Sequence, residues 1–228
     1  MDKNNPEEVN RIKDEFPKIR SRAKAPSFAL QYGGTWVTIQ RTLGCSKDKA
    51  VKIEEAYHEL YSGLAEFAAK NEKQGIAKGY VDCAFGLRLR TPLLQKHKPG
   101  LDVSNEMASS SRSANNATTQ SWGMLMNRAI IDFRNRVINS EYRNDIRLVN
   151  TIHDAVYGLV RIDPNIIKFV NDNLVEAMSW QEHPRIQSNE VKLGAEVDFG
   201  LSWDKQYTMK NGITIDQIND FILEHELN

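Results

Sequence analysis

The sequence RSRAKAPSFALQYGG occupies residues 20–34 and carries four side chains at intervals of four residues. Arg20, Lys24, Phe28 and Tyr32 share one face of a helix, because residues four apart lie about one turn apart. Two cations at the start of this face can bind a polyphosphate, and the two aromatic rings after them can stack on a flat ring. An amphipathic helix with solvated cations and a buried aromatic pair would show the same spacing.

Two prolines affect where helices begin in this region. Residues 6–22 have the apolar spacing of an amphipathic helix, although Pro17 interrupts it. Pro26 has no backbone N–H and crowds the carbonyl group four residues before it. We therefore expect the helix that carries the four-residue pattern either to start near Ala25 or to kink there.

The remainder of the chain shows helical spacing in most segments and β-branched runs in a few. It contains no internal repeat and no low-complexity tract. The expected helices are 47–73, two in succession between about 103 and 138, 163–180 and 215–227, and the expected strands are 79–90, a hairpin at 147–162 and 191–199.

The composition is that of an ordinary globular protein, with 228 residues, 40% of them hydrophobic, and a formal net charge of zero. The overall field therefore gives no reason to expect a nucleic-acid partner. Charge is uneven along the chain, because residues 70–98 hold seven Lys and Arg against two acidic residues, whereas residues 163–228 hold five against twelve. This distribution is compatible with one basic face on a neutral molecule, or with two solvated surfaces of opposite sign.

Cysteine usage and hydropathy bear on the location of the protein. Cys45 and Cys83 do not lie in a metal-ligand spacing, so we expect two reduced thiols in a cytoplasmic protein. No run of residues approaches the roughly 18 apolar residues of a membrane-spanning helix, so no membrane partner is expected.

A second set of polar side chains recurs every four residues, at Arg112, Asn116 and Gln120. Arg, Asn and Gln hydrogen-bond to sugars and base edges, and the small Ser, Ala and Thr residues between them would let another backbone approach. A polar stripe that faces solvent would have the same spacing.

A third candidate is the dipeptide His153-Asp154, which lies between two apolar β-branched runs. A carboxylate at a hairpin tip is well placed to bind a hard divalent cation, and Mg²⁺ takes only one or two protein carboxylates. Asp is also a common turn residue with no ligand at all.

In this order, these stretches resemble family A DNA polymerases of the Pol I type. The resemblance covers nearly the whole chain, and five ordered motifs are more specific than any one of them. The matching segments are residues 20–33 with motif B, 79–86 with the GYV-x3-FG segment, 112–120 with the Arg-x3-Asn-x3-Gln series, 152–154 with motif C and 197–203 with the closing palm strand.

The resemblance implies nucleotidyl transfer, in which a primer 3′-OH attacks the α-phosphate of a dNTP with two Mg²⁺ ions bound. It implies that Asp154 is a metal-binding catalytic residue. Arg20 and Lys24 are implied to bind the triphosphate, as catalytic residues that neutralise developing charge. Phe28 is implied to pack against the incoming sugar and base, and Tyr32 to stack at the insertion site.

For the DNA, the resemblance implies contacts with a primer–template duplex. Arg112, Asn116 and Gln120 would bind minor-groove acceptors that all base pairs share. Gly33 would let the template backbone pass, and His153 would contact the primer strand. The basic residues of the middle segment would follow template phosphates.

The resemblance also implies a fold: an α+β chain in right-hand polymerase arrangement, with mostly helical fingers and a partial palm of antiparallel sheet and helices. We expect residues 1–105 to form the fingers subdomain and residues 106–228 the partial palm. KAPSFALQYGGT and IHDAVY look most like the bacteriophage branch, where Ala155 replaces the Glu of most relatives. Replication of viral DNA in a bacterial host cytoplasm is the corresponding expectation.

Motif A, which supplies the other essential aspartate of the family, is absent from the position where the family carries it. Only 19 residues precede Arg20. We therefore expect a C-terminal portion that needs a separate N-terminal polymerase segment with motif A and the thumb. The alternatives are a non-catalytic remnant that binds primer–template, and part of a single-subunit phage-type RNA polymerase.

Overall fold

The structure, a computed structural model, describes residues 5–98, 100 and 104–227. The chain folds into two compact units, the first ending at Trp122 and the second beginning at Gly123. Helices combine with small antiparallel sheets in both units, which confirms the α+β class. The boundary expected after residue 105 differs from this division, and the assignment of 1–105 and 106–228 to fingers and palm stays a prediction.

The first unit is mainly helical, with one two-stranded antiparallel sheet. A single 3₁₀ turn, Ala84–Gly86, joins the two strands. Its elements are α1 (Pro6–Glu15), α2 (Pro17–Gln31), α3 (Trp36–Leu43), α4 (Lys47–Leu60), α5 (Ser62–Lys78), β1 (Tyr80–Asp82), β2 (Arg88–Arg90), α6 (Pro92–Gln95) and α7 (Asn105–Gln120).

The helix boundaries around the prolines differ from the sequence-based expectation. Residues 6–22 do not form one helix, because Phe16 is not helical and Pro17 begins α2; a residue before proline is disfavoured in the α conformation. Helix α2 then continues through Pro26, so the expected start near Ala25 is wrong. The first residue of the helix expected from about 103 lies outside the described residues.

Two further sequence-based expectations differ from the structure of the first unit. The helix expected over 47–73 is two helices, α4 and α5, which are separated at the non-helical Tyr61. Ser46 caps the start of α4, since its hydroxyl accepts a hydrogen bond from the Lys49 N–H at 3.4 Å. The strand-like stretch expected over 79–90, with a turn or bulge at Phe85-Gly86, is a hairpin of two three-residue strands that turns at Ala84–Gly86.

Two apolar clusters hold the first unit together. Leu30, Ile39 and Ala50 pack α2, α3 and α4 against one another. Val81 of β1 packs with Ala114 of α7, which fixes the helix against the small sheet. Helix α7 therefore has a fixed position relative to the β1–β2 hairpin.

The second unit combines three helices with two antiparallel hairpins. Helices α8 and α9 pack around Phe133, Ile166 and Val170, which are almost fully buried. Its elements are α8 (Met124–Ile138), β3 (Ile146–Ile152), β4 (Ala155–Val160), α9 (Pro164–Met178), β5 (Val197–Phe199), β6 (Tyr207–Met209) and α10 (Ile215–Glu224).

The hairpin expected over 147–162 is confirmed as β3 and β4, with a bulge between Leu148 and Asn150. The strand expected over 191–199 is shorter and begins only at Val197. Strand β6 was not expected. None of the described helices is both long enough and apolar enough to cross a membrane.

Candidate nucleic-acid interface

The four-residue pattern lies on α2 as its spacing predicts, and its side chains are accessible. Arg20 and Lys24 are exposed, and neither forms an ion pair with another described residue. Phe28 is 53% exposed and Tyr32, the residue that caps the helix, is 40% exposed. The alternative interpretation, a buried aromatic pair, is therefore wrong, and the face can bind an anion next to exposed rings.

The turn after α2 is packed directly against α7. Gly33 has a left-handed φ of +79°, and a Cβ atom at this position would lie 2.9 Å from Arg112 Cδ. The Asn116 side-chain amide donates a hydrogen bond to the Tyr32 carbonyl oxygen at 3.4 Å. Arg112 and Asn116, which are 80 residues further along the chain, are thus brought to the end of the α2 face.

Helix α7 presents its polar series because its other face is buried. Ser111, Ala114 and Thr118 are buried, whereas Arg112 and Gln120 are exposed. Side chains at intervals of four lie on one side of a helix, so Gln120 continues the row that Arg112 begins. The small residues let α7 lie close to its neighbours, as the sequence predicts.

The basic middle segment forms an ordered cation–aromatic group on the β1–β2 hairpin. The Arg88 guanidinium carbon lies 4.5 Å and the Lys78 Nζ 5.9 Å from the centre of the Tyr80 ring. The Gln74 amide donates to Asp82 at 2.6 Å, and Arg88 donates to the same carboxylate at 3.3 Å. The bond from Gln74, aided by the nearby cations, lowers the pKa of Asp82.

His153 and Asp154 form the two-residue connection between β3 and β4, where Ile152 pairs with Ala155. His153 takes a left-handed φ of +52°, a conformation that tight hairpin connections use. Both side chains are exposed. The paired strands therefore hold the Asp154 carboxylate at a defined point on the surface.

The Asp154 carboxylate can serve as one protein ligand to Mg²⁺. An exposed carboxylate on a hairpin tip is the oxygen donor that Mg²⁺ prefers, with water and phosphate completing the shell. Among the described residues, no group of three or more His, Cys, Asp and Glu side chains could hold a metal ion.

One group of side chains was not anticipated from the sequence. They line a cavity of about 210 Å³ beside Tyr32 and Gly33, and they come from α4, α5 and α7. No local pattern links these helices, so only their packing identifies the group. It includes Tyr57, Phe67 and Asn115.

Several known proteins are similar to this chain in sequence. The chain is 22% identical to DNA polymerase I of Rhizobium leguminosarum over 191 residues, which are 83% of this chain and 18% of that protein. It is 25% identical to DNA polymerase I of Pseudomonas aeruginosa over 197 residues, which are 86% of this chain and 20% of that protein. The chain thus spans about a fifth of the length of these relatives. They are bacterial proteins and do not support the expected bacteriophage branch.

A solved structure has the same fold over most of the chain. It is the POL domain of Pol1 from M. smegmatis, in complex with DNA primer-template and dNTP, with a TM-score of 0.59 and 23% identity. The match covers 72% of this chain and 28% of that one. The family model for DNA polymerase family A matches residues 5–205. Because that match extends over most of its length, the chain belongs to DNA polymerase family A.

Proposed function

We propose that this chain is the part of a DNA-directed DNA polymerase that binds the incoming dNTP and the primer–template and contributes one carboxylate to catalysis. The observation that carries the proposal is the α2 face of a family A chain. Two exposed cations, neither in an ion pair with a described residue, precede two exposed aromatic rings on this face. That order matches a nucleoside triphosphate, which has charge at one end and a flat base at the other.

On this proposal Arg20 and Lys24 bind the triphosphate of the dNTP. Their positive charge stabilises the negative charge that builds up on the leaving pyrophosphate. Phe28 packs against the sugar and base, and Tyr32 stacks where the new pair forms. The exposure of both rings supports these contacts, because a ring buried in a core has no face left for a base.

The DNA is bound by the residues that meet at the end of α2, and by His153. Arg112, Asn116 and Gln120 contact minor-groove acceptors common to all pairs, so they check shape without reading sequence. On the family pattern, Gly33 lies beside the template backbone. The Arg112 side chain packs against Gly33, which joins the nucleotide-binding helix to the row of DNA-binding side chains and supports DNA binding by that row.

Asp154 holds divalent metal in the assembled enzyme. Bound Mg²⁺, two ions on the family pattern, would stabilise charge on the attacking and leaving oxygens. The paired strands hold the carboxylate at the hairpin tip, so its own role is to place a ligand oxygen at a fixed point.

We also propose that a separate polymerase segment with motif A and the thumb covers the β3–β4 hairpin. Within the described residues these two strands pair only with each other, so their outer edges carry unpaired backbone groups. Val149 is 54%, Ile152 41% and Leu159 64% exposed. Exposed apolar surface of this extent marks a protein-binding face.

A groove beside the hairpin supports the same conclusion. Its volume is about 280 Å³, and apolar side chains of β3, β4, α9 and β5 line most of it. Such a groove resembles a protein core with one layer removed, which is the character of a permanent interface. A strand with apolar side chains on one face would fill it and pair with a free edge of the hairpin.

A second candidate is a remnant that binds primer–template without chemistry. Ala155 follows Asp154 where most relatives carry Glu, and Asp154 has no grouped carboxylates among the described residues. The bacteriophage branch, and a place in viral DNA replication in a bacterial cytoplasm, remain proposals that rest on the motif sequences alone.

Primer extension tests the proposal. We expect the purified chain to bind primer–template but to incorporate no dNTP, because one carboxylate cannot hold a two-metal site. Adding a segment with motif A and the thumb should give a 1:1 complex that extends the primer. Asp154→Asn should abolish extension, and Glu190→Gln, at another exposed carboxylate, should not.

The outcomes separate the candidates. A complex that forms but does not extend the primer would favour the remnant. Extension by the chain alone would refute the need for a second segment. Leu159→Lys should prevent assembly, whereas Val191→Lys, at an equally exposed valine outside the hairpin, should not; equal effects would refute docking on the hairpin.

A further inference from the structure

Strand β6 and helix α10 lie beyond residues 5–205, the part of the chain that the family A model matches. Both are built firmly into the second unit. Strand β6 pairs with β5 over three residues, and Met209 and Ile218 form a buried cluster with Ile167 of α9. A capping box begins α10. This packing accounts for the inner face of α10, and its outer face has no such structural role.

The outer face of α10 carries a row of carboxylates. Asp216, Asp220 and Glu224 follow one another at intervals of four residues, and all three are exposed. No described residue forms an ion pair with any of them. Residues 211–228 contain four acidic side chains and no Lys or Arg. The outer face is therefore a surface of one charge sign without internal compensation.

The spacing of the row indicates what it can bind. Residues four apart on a helix are separated by about 6 Å along the axis, so the carboxylates do not converge on one point. A single metal ion is a poor fit, which agrees with the absence of a metal-binding group among the described residues. A series of separate cations, such as Lys and Arg side chains along a polypeptide, fits the row.

A groove of about 330 Å³ lies between β6 and α10, next to this row. Phe221 and Ile213 supply apolar surface to it, and Asp220 and Glu224 line it as well. Lys210 is the one lysine among its lining residues. A groove that combines an aromatic side chain with carboxylates suits a peptide in which an apolar side chain stands next to basic ones.

This groove is continuous with the surface on which the separate polymerase segment is proposed to dock. Gln206, directly before β6, and Leu227, three residues after α10, line the apolar groove beside the β3–β4 hairpin. Val160 of β4 and Phe199 of β5 pack against the cluster that holds α10. The two grooves thus share one core within the second unit, and one partner can contact both.

We propose that α10 and its groove are a docking surface for a basic stretch of the separate polymerase segment. The inference rests on the proposed function and names the chemistry of that partner: Lys or Arg side chains opposite the acidic row, beside an apolar side chain that enters the groove. Complementary charge speeds the encounter of two separate chains. The same carboxylates repel DNA phosphates, so the primer–template does not compete for this surface.

The test measures how fast the full chain binds the segment that carries motif A and the thumb, by biolayer interferometry at two salt concentrations. The double variant Asp220→Lys, Glu224→Lys should associate about tenfold more slowly at about 50 mM salt, because attraction becomes repulsion. Most of this difference should disappear at about 1 M salt, where the Debye length falls to about 3 Å. Dissociation should change less, since charges at the rim of an interface act mainly on association.

The control is the double variant Glu190→Lys, Glu196→Lys. It changes the net charge by the same amount at two exposed carboxylates that line neither groove. We expect it to associate nearly as fast as the wild type. The double variant Asp220→Asn, Glu224→Gln removes the charges without reversing them and should have an intermediate effect. Thermal unfolding checks that each variant is folded.

Each outcome decides a different question. If the wild-type chain forms no complex with the segment, the proposed function is refuted. If the complex forms but the α10 variants associate like the wild type, or no more slowly than the control, the inference is overturned and the proposed function stands. If sedimentation shows that the chain alone forms a dimer that the α10 variants abolish, the surface binds a second copy, and the assigned partner is wrong.

Discussion

Replacing Gly33 by alanine perturbs the contact between the end of α2 and α7, and the structure gives the size of the effect. The φ of +79° is a left-handed conformation that costs an L-residue about 1–2 kcal/mol. The new Cβ would also lie 2.9 Å from Arg112 Cδ and 3.2 Å from Arg112 Cγ. Moving the Arg112 side chain away from a staggered rotamer adds about 0.5–1.5 kcal/mol.

The chain offers a control for each part of this cost. Gly44 has a left-handed φ of +62° with nothing within 4 Å of an added Cβ, so Gly44→Ala should cost only the backbone part. In an Arg112→Ala background the crowded Cγ and Cδ are gone, and the remaining Cβ lies at an ordinary 3.9 Å. There Gly33→Ala should cost about 0.5–1.5 kcal/mol less than in the wild type.

Urea unfolding followed by Trp36 fluorescence measures these free energies, since Trp36 packs on the α2–α4 cluster. Trp180 and Trp203 of the second unit are replaced by phenylalanine, so that the signal reports the first unit. The reasoning is refuted if Gly33→Ala costs no more than Gly44→Ala, or if its cost is the same with and without the Arg112 side chain.

Two further predictions concern the α2 face and the basic hairpin. Lys24→Ala in the assembled enzyme should slow dNTP incorporation by roughly 100- to 1,000-fold, because a charge aimed at the transition state is lost. Kd for primer–template should stay nearly constant. Single-turnover kinetics measures the incorporation rate and anisotropy measures Kd, and weaker DNA binding with normal incorporation would contradict the prediction. Asp82 has a lowered pKa in the folded chain, so its stabilising contribution is present above about pH 4 and is lost as the pH falls through the folded-state value. Thermal unfolding at neutral and acidic pH should show a smaller acid loss of Tm in Asp82→Asn than in the wild type, and an unchanged loss would contradict this role.

The sequence predicted those features of the fold that depend on local spacing. The four-residue rows on α2 and α7 became helix faces, and two β-branched runs around a short polar connection became the β3–β4 hairpin. Each of these signals is contained in fewer than twenty residues, and none needs knowledge of what packs against it.

Helix ends and short strands were less predictable, for a physical reason. Tyr61 divides the helix expected over 47–73, although the apolar spacing continues across the break. Pro26 lies inside α2, where the loss of one backbone donor did not end the helix. Ser62 and Gly63, which have low helix propensity, follow the break at Tyr61, whereas Pro26 is buried within α2.

The residues of the candidate site divide in the same way, into those that local motifs predict and those that only packing brings together. Arg20, Lys24 and Asp154 were predicted from motifs, because their proposed roles depend on residue type at a fixed spacing. The bond from Asn116 to the Tyr32 carbonyl and the cavity beside it join segments 84 residues apart and were visible only in the fold. Residue type in the sequence shows what a side chain can do, and packing shows which side chains meet.

The position of Asp154 connects the two incomplete features of the second unit. The hairpin that exposes Val149 and Leu159 is also the hairpin whose tip carries the Asp154 carboxylate. A strand that pairs with a free edge of this hairpin runs alongside β3 or β4, so its end lies near the tip. A segment that covers the apolar surface can therefore also deliver a second carboxylate next to Asp154. On the proposed function, docking of that segment also completes the metal site.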